Sequence, residues 1–225
     1  MAQHGARRVV RHSHSDGYAE PIDVLAASFT GLPLNCPNDV AIAPAGDGRI
    51  AFTDPYYCFL ERTKLPLGDS NTQARSALGF AGVYAVLPPA GVGRADVERP
   101  VLLTNELSRP NGIAFEPDSQ PEGGGEAAAF WVSECCQGHS PMCPAGVARW
   151  HRYVRRPADH HIGPGEPTHA RSRTIEWQRP GGGGGCADGF KMLARREDHT
   201  GTSLPPLIVA SCPLGVCVVD TGRSD

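Results

Sequence analysis

Three oxygen-bearing side chains, Asn38, Asn111 and Asp188, stand 73 and 77 residues apart, each at the head of an apolar run. Two amide carbonyls and one carboxylate are hard donors. They suit a hard cation and poorly suit a metal that prefers sulfur or imidazole. Calcium, with its loose geometry, is the first choice of ion, while magnesium, manganese or zinc would fit a mixed site of oxygens and water. A single carboxylate would leave such an ion positive, able to polarise a carbonyl and to acidify a bound water. Asn-Asp and Asn-Gly are also ordinary turn pairs, so one alone would mean little. Their recurrence in one order is what argues for a shared site.

Other constellations carry less. His12 with His14, and His160 with His161, sit in polar segments without a partner pair and read as exposed loop histidines. Cys135, Cys136 and Cys143 have a zinc flavour, but no second cysteine pair stands at zinc-ribbon spacing. They read as a loop with at most an incidental disulfide. Most of the eight cysteines read as small buried hydrophobes. Cys36 and Cys186 each precede a candidate site residue by two positions and read as thiols near its mouth. Gly181 to Gly185 lacks the Gly-Lys-Ser/Thr of a phosphate loop and reads as a flexible lead-in. No Gly-x-Ser-x-Gly is present, which disfavours a serine nucleophile and leaves metal-activated water.

The elements that must position these residues recur with them. Asn35-Cys36-Pro37-Asn38-Asp39-Val40 leads to Phe52-Thr53-Asp54. Ser108-Arg109-Pro110-Asn111-Gly112-Ile113 leads to Phe130-Trp131-Val132-Ser133-Glu134. Gly185-Cys186-Ala187-Asp188-Gly189-Phe190 leads to Val209-Ala210-Ser211-Cys212. A Gly-Val pair then opens the next run at Gly82, Gly146 and Gly215. With 27 glycines and 21 prolines in 225 residues, short strands and turns are favoured over helices.

Strands are expected near 40–43, 49–53, 83–87 and 101–104, then 113–116, 128–133, 147–153 and 173–177, then 189–193, 207–210 and 216–219. Two more, near 8–12 and 22–27, match the last two strands of a preceding unit. Four-stranded units that open alike are the mark of a β-propeller, in which the innermost strands line one axis. On that reading Asn38, Asn111 and Asp188 converge. The expectation is an all-β chain, residues 1–225 forming a single partial propeller whose repeats open near 36, 109 and 186.

A net charge of −3, with 40% apolar and 20% charged residues, argues against a nucleic-acid partner. No run approaches the length of a membrane helix. The first 16 residues carry arginines and histidines but no apolar leader, so a cytoplasmic location is the default.

The succession of Leu34-Asn35-Cys36-Pro37-Asn38-Asp39-Val40, Phe52-Thr53-Asp54-Pro55-Tyr56, Gly82-Val83-Tyr84, Arg109-Pro110-Asn111-Gly112-Ile113-Ala114-Phe115 and Ala187-Asp188-Gly189 resembles the SMP-30/gluconolactonase (regucalcin) family. It extends over roughly 7–220. The resemblance implies a six-bladed propeller with an axial divalent ion, hydrolysing sugar lactones and related esters. It implies that Asn111 and Asp188 are metal ligands, that Asn38 binds metal or substrate, and that Asp188 helps to activate water. Tyr57 and Arg109, close by in sequence, are candidate substrate contacts.

Two departures from the family stand out. Its Glu-Gly-Pro ligand motif has no counterpart here, and 13 expected strands amount to about three to three and a half blades, fewer than close a ring of six. Open blade edges predict self-association and a weakened site. The rival readings are a calcium-binding or interaction module without turnover, and a strictosidine-synthase-like or arylesterase-like propeller. Pro-Asn-Asp followed by Phe-Thr-Asp-Pro argues against the last.

Overall fold

The computed structural model describes residues 1–12, 21–44, 48–61, 75–87, 99–117, 129–135, 147–157, 163–178, 187–194, 196–212 and 215–222. His14, His160, His161, Cys136, Cys143, Gly181 to Gly185 and Cys186 lie outside them. Strands dominate the described residues, and the all-β expectation holds.

A first sheet joins β1 (Ala2–Gln3), β2 (Arg8–His12) and β3 (Pro21–Ala26) in that order. The strand β1 was not expected from the sequence; it lies along β2 because the chain folds back through a turn with Arg7 at φ 54°. A short hairpin follows, β4 (Ser28–Phe29) with β5 (Leu32–Pro33).

The second sheet runs in simple succession through β6 (Val40–Ile42), β7 (Ile50–Asp54), β8 (Gly82–Val86) and β9 (Val101–Thr104). Between β7 and β8 stands the helix α1 (Tyr57–Glu61), which the strand expectations did not include. The third sheet repeats the pattern with β10 (Pro110–Phe115), β11 (Phe130–Glu134), β12 (Val147–Arg155) and β13 (His169–Gln178). The strand β13 begins at His169, ahead of the expected 173, because β12 is long enough to pair with it from Val147 to Arg155.

The fourth sheet holds β14 (Phe190–Leu193), then β17 (Leu207–Cys212) and β18 (Gly215–Asp220), with a hairpin of β15 (Arg196–Glu197) and β16 (Ser203–Leu204) inserted. Asp198 closes that hairpin, its Oδ1 accepting from the Thr200 and Thr202 N–H groups at 2.8 and 2.9 Å. Among the described residues no helix is long and apolar enough to cross a membrane.

Strands such as β7, β8 and β11 are buried nearly end to end, which means that both of their faces are covered. Side-chain alternation then sends successive residues into different cores. Phe52 packs with Val9, Leu25, Leu34 and Tyr84 between the first and second sheets. Its neighbours Ala51 and, across the ladder, Val83 and Ala85 join Ile113, Phe130 and Val132 between the second and third. Trp131 turns the other way, to Trp150, Phe190 and Ile208 between the third and fourth. The three cores follow one another in chain order, so each repeat of the sequence seals the preceding one.

Two disulfides, Cys36–Cys58 and Cys212–Cys217, correct the reading of the cysteines as plain buried hydrophobes, and Cys135 is also disulfide-bonded.

Phe130 stacks on Tyr153 at 5.4 Å and meets Phe115 and His169 at 6.0 and 5.2 Å, with none of its surface exposed. Phe130→Ala is expected to lower the unfolding free energy by about 3–5 kcal/mol. Val218→Ala, on a residue 61% exposed, should change it by less than about 0.5 kcal/mol. Urea denaturation of both variants beside the wild type checks the pair.

Candidate functional site

The residues of interest gather at one end of the sheets, where β6, β10 and β14, the first strand of each full repeat, run side by side. Asn38 precedes β6, Asn111 lies in β10, and Asp188 precedes β14. Asn38 Nδ2 donates to Asn111 Oδ1 at 2.6 Å, across the 73 residues that separate them. Asn111 is buried, Asn38 half-buried and Asp188 exposed.

Two hydroxyls that sequence reading passed over hold this cluster together. Thr53 Oγ1 accepts from the Asp39 N–H at 3.1 Å and donates to the Asn111 carbonyl at 2.6 Å. Ser133 Oγ does the same one sheet later, accepting from the Gly112 N–H at 2.8 Å and donating to the Asp188 carbonyl at 2.9 Å. Each hydroxyl therefore takes the N–H that follows the polar residue of its own sheet. It gives its proton to the carbonyl of the polar residue in the next. Both side chains are fully buried, where an unmade hydrogen bond is costly. Asp39 adds a second tie, its Oδ2 accepting from the Ile113 N–H at 3.0 Å. Ser211, the third member of the set, is exposed.

The next residue along is a carboxylate in both sheets, and it caps the loop that leads into the site. Asp54 accepts the Asn35 and Cys36 N–H groups at 2.8 and 2.6 Å. Glu134 Oε1 accepts the Ser108 N–H and hydroxyl at 2.9 and 3.1 Å. Burial pushes the Asp54 carboxyl up to about 7, against the opposing effect of its two N–H donors and of Arg7. Burial also acts to raise Glu134, but the His151 imidazole, 3.2 Å from its Oε2, and the Ser108 donors hold it below the usual range. The signal was legible in principle, as Thr53-Asp54 and Ser133-Glu134 occupy matching places in the repeat. In the third repeat Cys212 stands there instead and is bonded to Cys217.

Arg7 braces the same loop, its Nε donating to the Leu34 and Asn35 carbonyls at 2.6 and 2.9 Å. The Cys36–Cys58 bond ties the loop to α1 and places Tyr57 over the site. The Tyr57 phenol donates to the Arg109 carbonyl at 3.4 Å, and burial holds its pKa well above the ordinary value, with Arg109 and Asn111 opposing and Asp188 and Glu134 reinforcing. Arg109 is 3% exposed, so this candidate substrate contact is buried, with its backbone carbonyl accepting from Tyr57. His4, Cys36 and Cys58 present donor atoms within 4.8 Å of one another, but the two sulfurs are bonded to each other. Cys36 is thus not the reactive thiol suggested by its position.

Two amide oxygens and a carboxylate are by type the donors a hard cation prefers; Asn111 Oδ1 keeps a second lone pair beside the one taken by Asn38, and Asp188 is exposed.

Comparison with known proteins gives one statement of kinship. The chain is 28% identical to a gluconolactonase from Zymomonas mobilis over 118 residues, which cover 52% of this chain and 27% of that protein. The chain therefore spans about a quarter of the length of the curated relative it matches. No family model matches the sequence.

Two outcomes follow from this geometry. A Cβ on Gly112 would lie 2.8 Å from the Asp188 carbonyl and 2.9 Å from Phe190 Cδ1. Gly112→Ala should push β14 away from β10, costing about 1–3 kcal/mol and perturbing the backbone amides of Asp188 and Gly189 in a heteronuclear NMR spectrum.

For Asp54, the folded chain keeps a proton between about pH 4 and pH 7 that the unfolded chain has lost, so this group's contribution to stability falls as pH rises through that window. His169, lowered to about 4 by burial, works in the opposite sense below pH 6.5, so the wild type alone is not diagnostic. The stability at pH 5 minus that at pH 8 should be about 2–3 kcal/mol larger in the wild type than in Asp54→Asn. Urea titrations at the two pH values measure it.

Proposed function

We propose that the chain is a divalent-metal-dependent hydrolase of sugar lactones, built as one partial β-propeller over residues 1–225 with its site on the axis. The observation that carries the reading is the direct hydrogen bond between Asn38 and Asn111, equivalent residues of successive repeats; the third equivalent residue, Asp188, is exposed and has its backbone carbonyl held by Ser133. The similarity to a gluconolactonase supplies the reaction class. The propeller reading is supported by the order of the cores, each sheet packed on the one before it, with β6, β10 and β14 innermost.

Asn38, Asn111 and Asp188 would hold the ion, calcium first and zinc, magnesium or manganese as substitutes. When bound, such an ion polarises the lactone carbonyl and acidifies a water. Asp188 then takes the proton of the water that attacks the carbonyl carbon. The ring carbon–oxygen bond breaks, and the ring oxygen leaves as a hydroxyl carrying that proton, giving the open-chain hydroxy acid. Tyr57, protonated throughout the working range and donating to the Arg109 carbonyl, would offer its phenol oxygen as an acceptor to a sugar hydroxyl. Arg109, whose carbonyl holds the Tyr57 phenol, is the second candidate contact to a polyhydroxy substrate. The partner is a small lactone; neither nucleic acid nor a membrane is needed. The outer edge of β18, where Val216 and Val218 are 75% and 61% exposed, is the surface available for self-association.

A second reading is a calcium-binding module without turnover, favoured by the single carboxylate of the donor set. One experiment separates them. The protein is stripped with a chelator, titrated with calcium by calorimetry, and assayed on D-glucono-1,5-lactone with a pH indicator. Calcium should bind and restore hydrolysis, and Asp188→Asn should reduce the rate about 10²–10⁴-fold. Binding without hydrolysis would select the module, and neither binding nor hydrolysis would reject both.

A further inference from the structure

A cavity of about 350 Å³ opens at the other end of the sheets, between the second and the third. Arg49, Arg99 and Arg155 line it together with Thr168 and His169, over an apolar floor that includes Val86, Val101 and Leu103. Its place away from the site follows from the ladders. Arg49 adjoins the end of β7 opposite to Thr53 and Asp54, and Arg155 pairs with His169 at the end of β12 opposite to Glu134.

The cavity is framed by defined contacts. The Thr168 N–H and Oγ1 both donate to the Leu102 carbonyl at 3.1 Å, locking the second sheet to the third. His169 Nδ1 lies 2.9 Å from Thr168 Oγ1, and its ring meets Phe130 edge-on. Burial, then Arg155 and Arg49, lower the His169 pKa to about 4, so the imidazole stays neutral among the guanidiniums. Among the described lining residues there is no carboxylate. Arg49 and Arg155 keep further contacts within the chain, and the five donors of a guanidinium allow each to serve these and an anion at once.

We propose that this cavity is a second binding site, for a small organic anion whose carboxylate or phosphate is held by Arg49, Arg99 and Arg155 and whose short apolar body rests on Val86, Val101 and Leu103. Arginine forks match the geometry of either group, and the mixed lining, apolar with a few convergent donors, is that of a ligand pocket. The inference does not depend on the lactonase reading.

Calorimetric titration of the full chain with hexyl phosphate, hexanoate and hexan-1-ol tests it. At least one anion should bind with a sub-millimolar Kd, the stronger of the two identifying phosphate or carboxylate as the preferred group, while the alcohol shows no heat. The double variant Arg49→Gln/Arg155→Gln should weaken binding at least tenfold, and Asp188→Asn should leave it unchanged. Arg99→Gln, on an exposed residue outside the strands, provides the same reading with a smaller loss if the double variant does not fold. Failure of both anions to bind, binding undiminished in folded arginine variants, or loss of binding in Asp188→Asn would overturn the proposal.

Discussion

The buried hydroxyls of Thr53 and Ser133 are the constraint on which the rest of the site depends. Each makes one bond inside its own sheet and one into the next. Successive sheets are thereby fixed in height as well as distance, and the fixed atoms are the backbone of Asn111 and Asp188. Apolar packing alone could not do this, because the three cores tolerate sliding more readily than a hydrogen bond tolerates stretching. Gly112 completes the arrangement from the other side, since only a residue without Cβ lets β10 come this close to the Asp188 carbonyl.

A second layer of buried polar groups supports the first. Asp54 and Glu134 cap the loops that deliver Asn38 and Asn111, and they do so under different electrostatic terms. Glu134 has His151 as a partner and is held as a carboxylate. Asp54 has two N–H donors and the charge of Arg7, which do not outweigh its burial. The same structural role is thus filled by one group that stays charged and one that gains a proton near neutrality. The loop carrying Asn38 is the more dependent on pH, and it is also the one stapled to α1 by Cys36–Cys58. Tyr57 opens that helix, so the staple, the loop and the phenol are held to one another by a covalent link.

Much of this was legible in the sequence. The spacing of Asn38, Asn111 and Asp188 and the matching Phe-Thr-Asp and Val-Ser-Glu runs marked repeats, and two of the four sheets have the four strands in simple succession that the repeats suggested. The meeting of Asn38 with Asn111 follows from the same reading. Less legible were elements fixed by tertiary contacts. The strand β1 forms only because Arg7 turns the chain back; β13 extends to His169 because β12 offers a partner. The hairpins β4–β5 and β15–β16 are two residues a strand, too short for a periodic signal. Cysteine pairing was missed for a different reason: Cys36 and Cys58 are brought together by the loop and helix around the site, not by a spacing with its own signature. The hydroxyl pair was overlooked because Thr and Ser in a strand look like ordinary β residues until the neighbouring sheet is in place.

The central claim is that Asn38, Asn111 and Asp188 act together on one ion. The most direct measurement is the shift of the Asn38 and Asn111 side-chain amide resonances during a calcium titration, in the wild type and in Asp188→Ala. The account predicts that both amides move together, with one dissociation constant, and that neither moves when Asp188 is removed. Amides that stay still while calcium binds elsewhere, or that titrate alike with and without the Asp188 carboxylate, would contradict it.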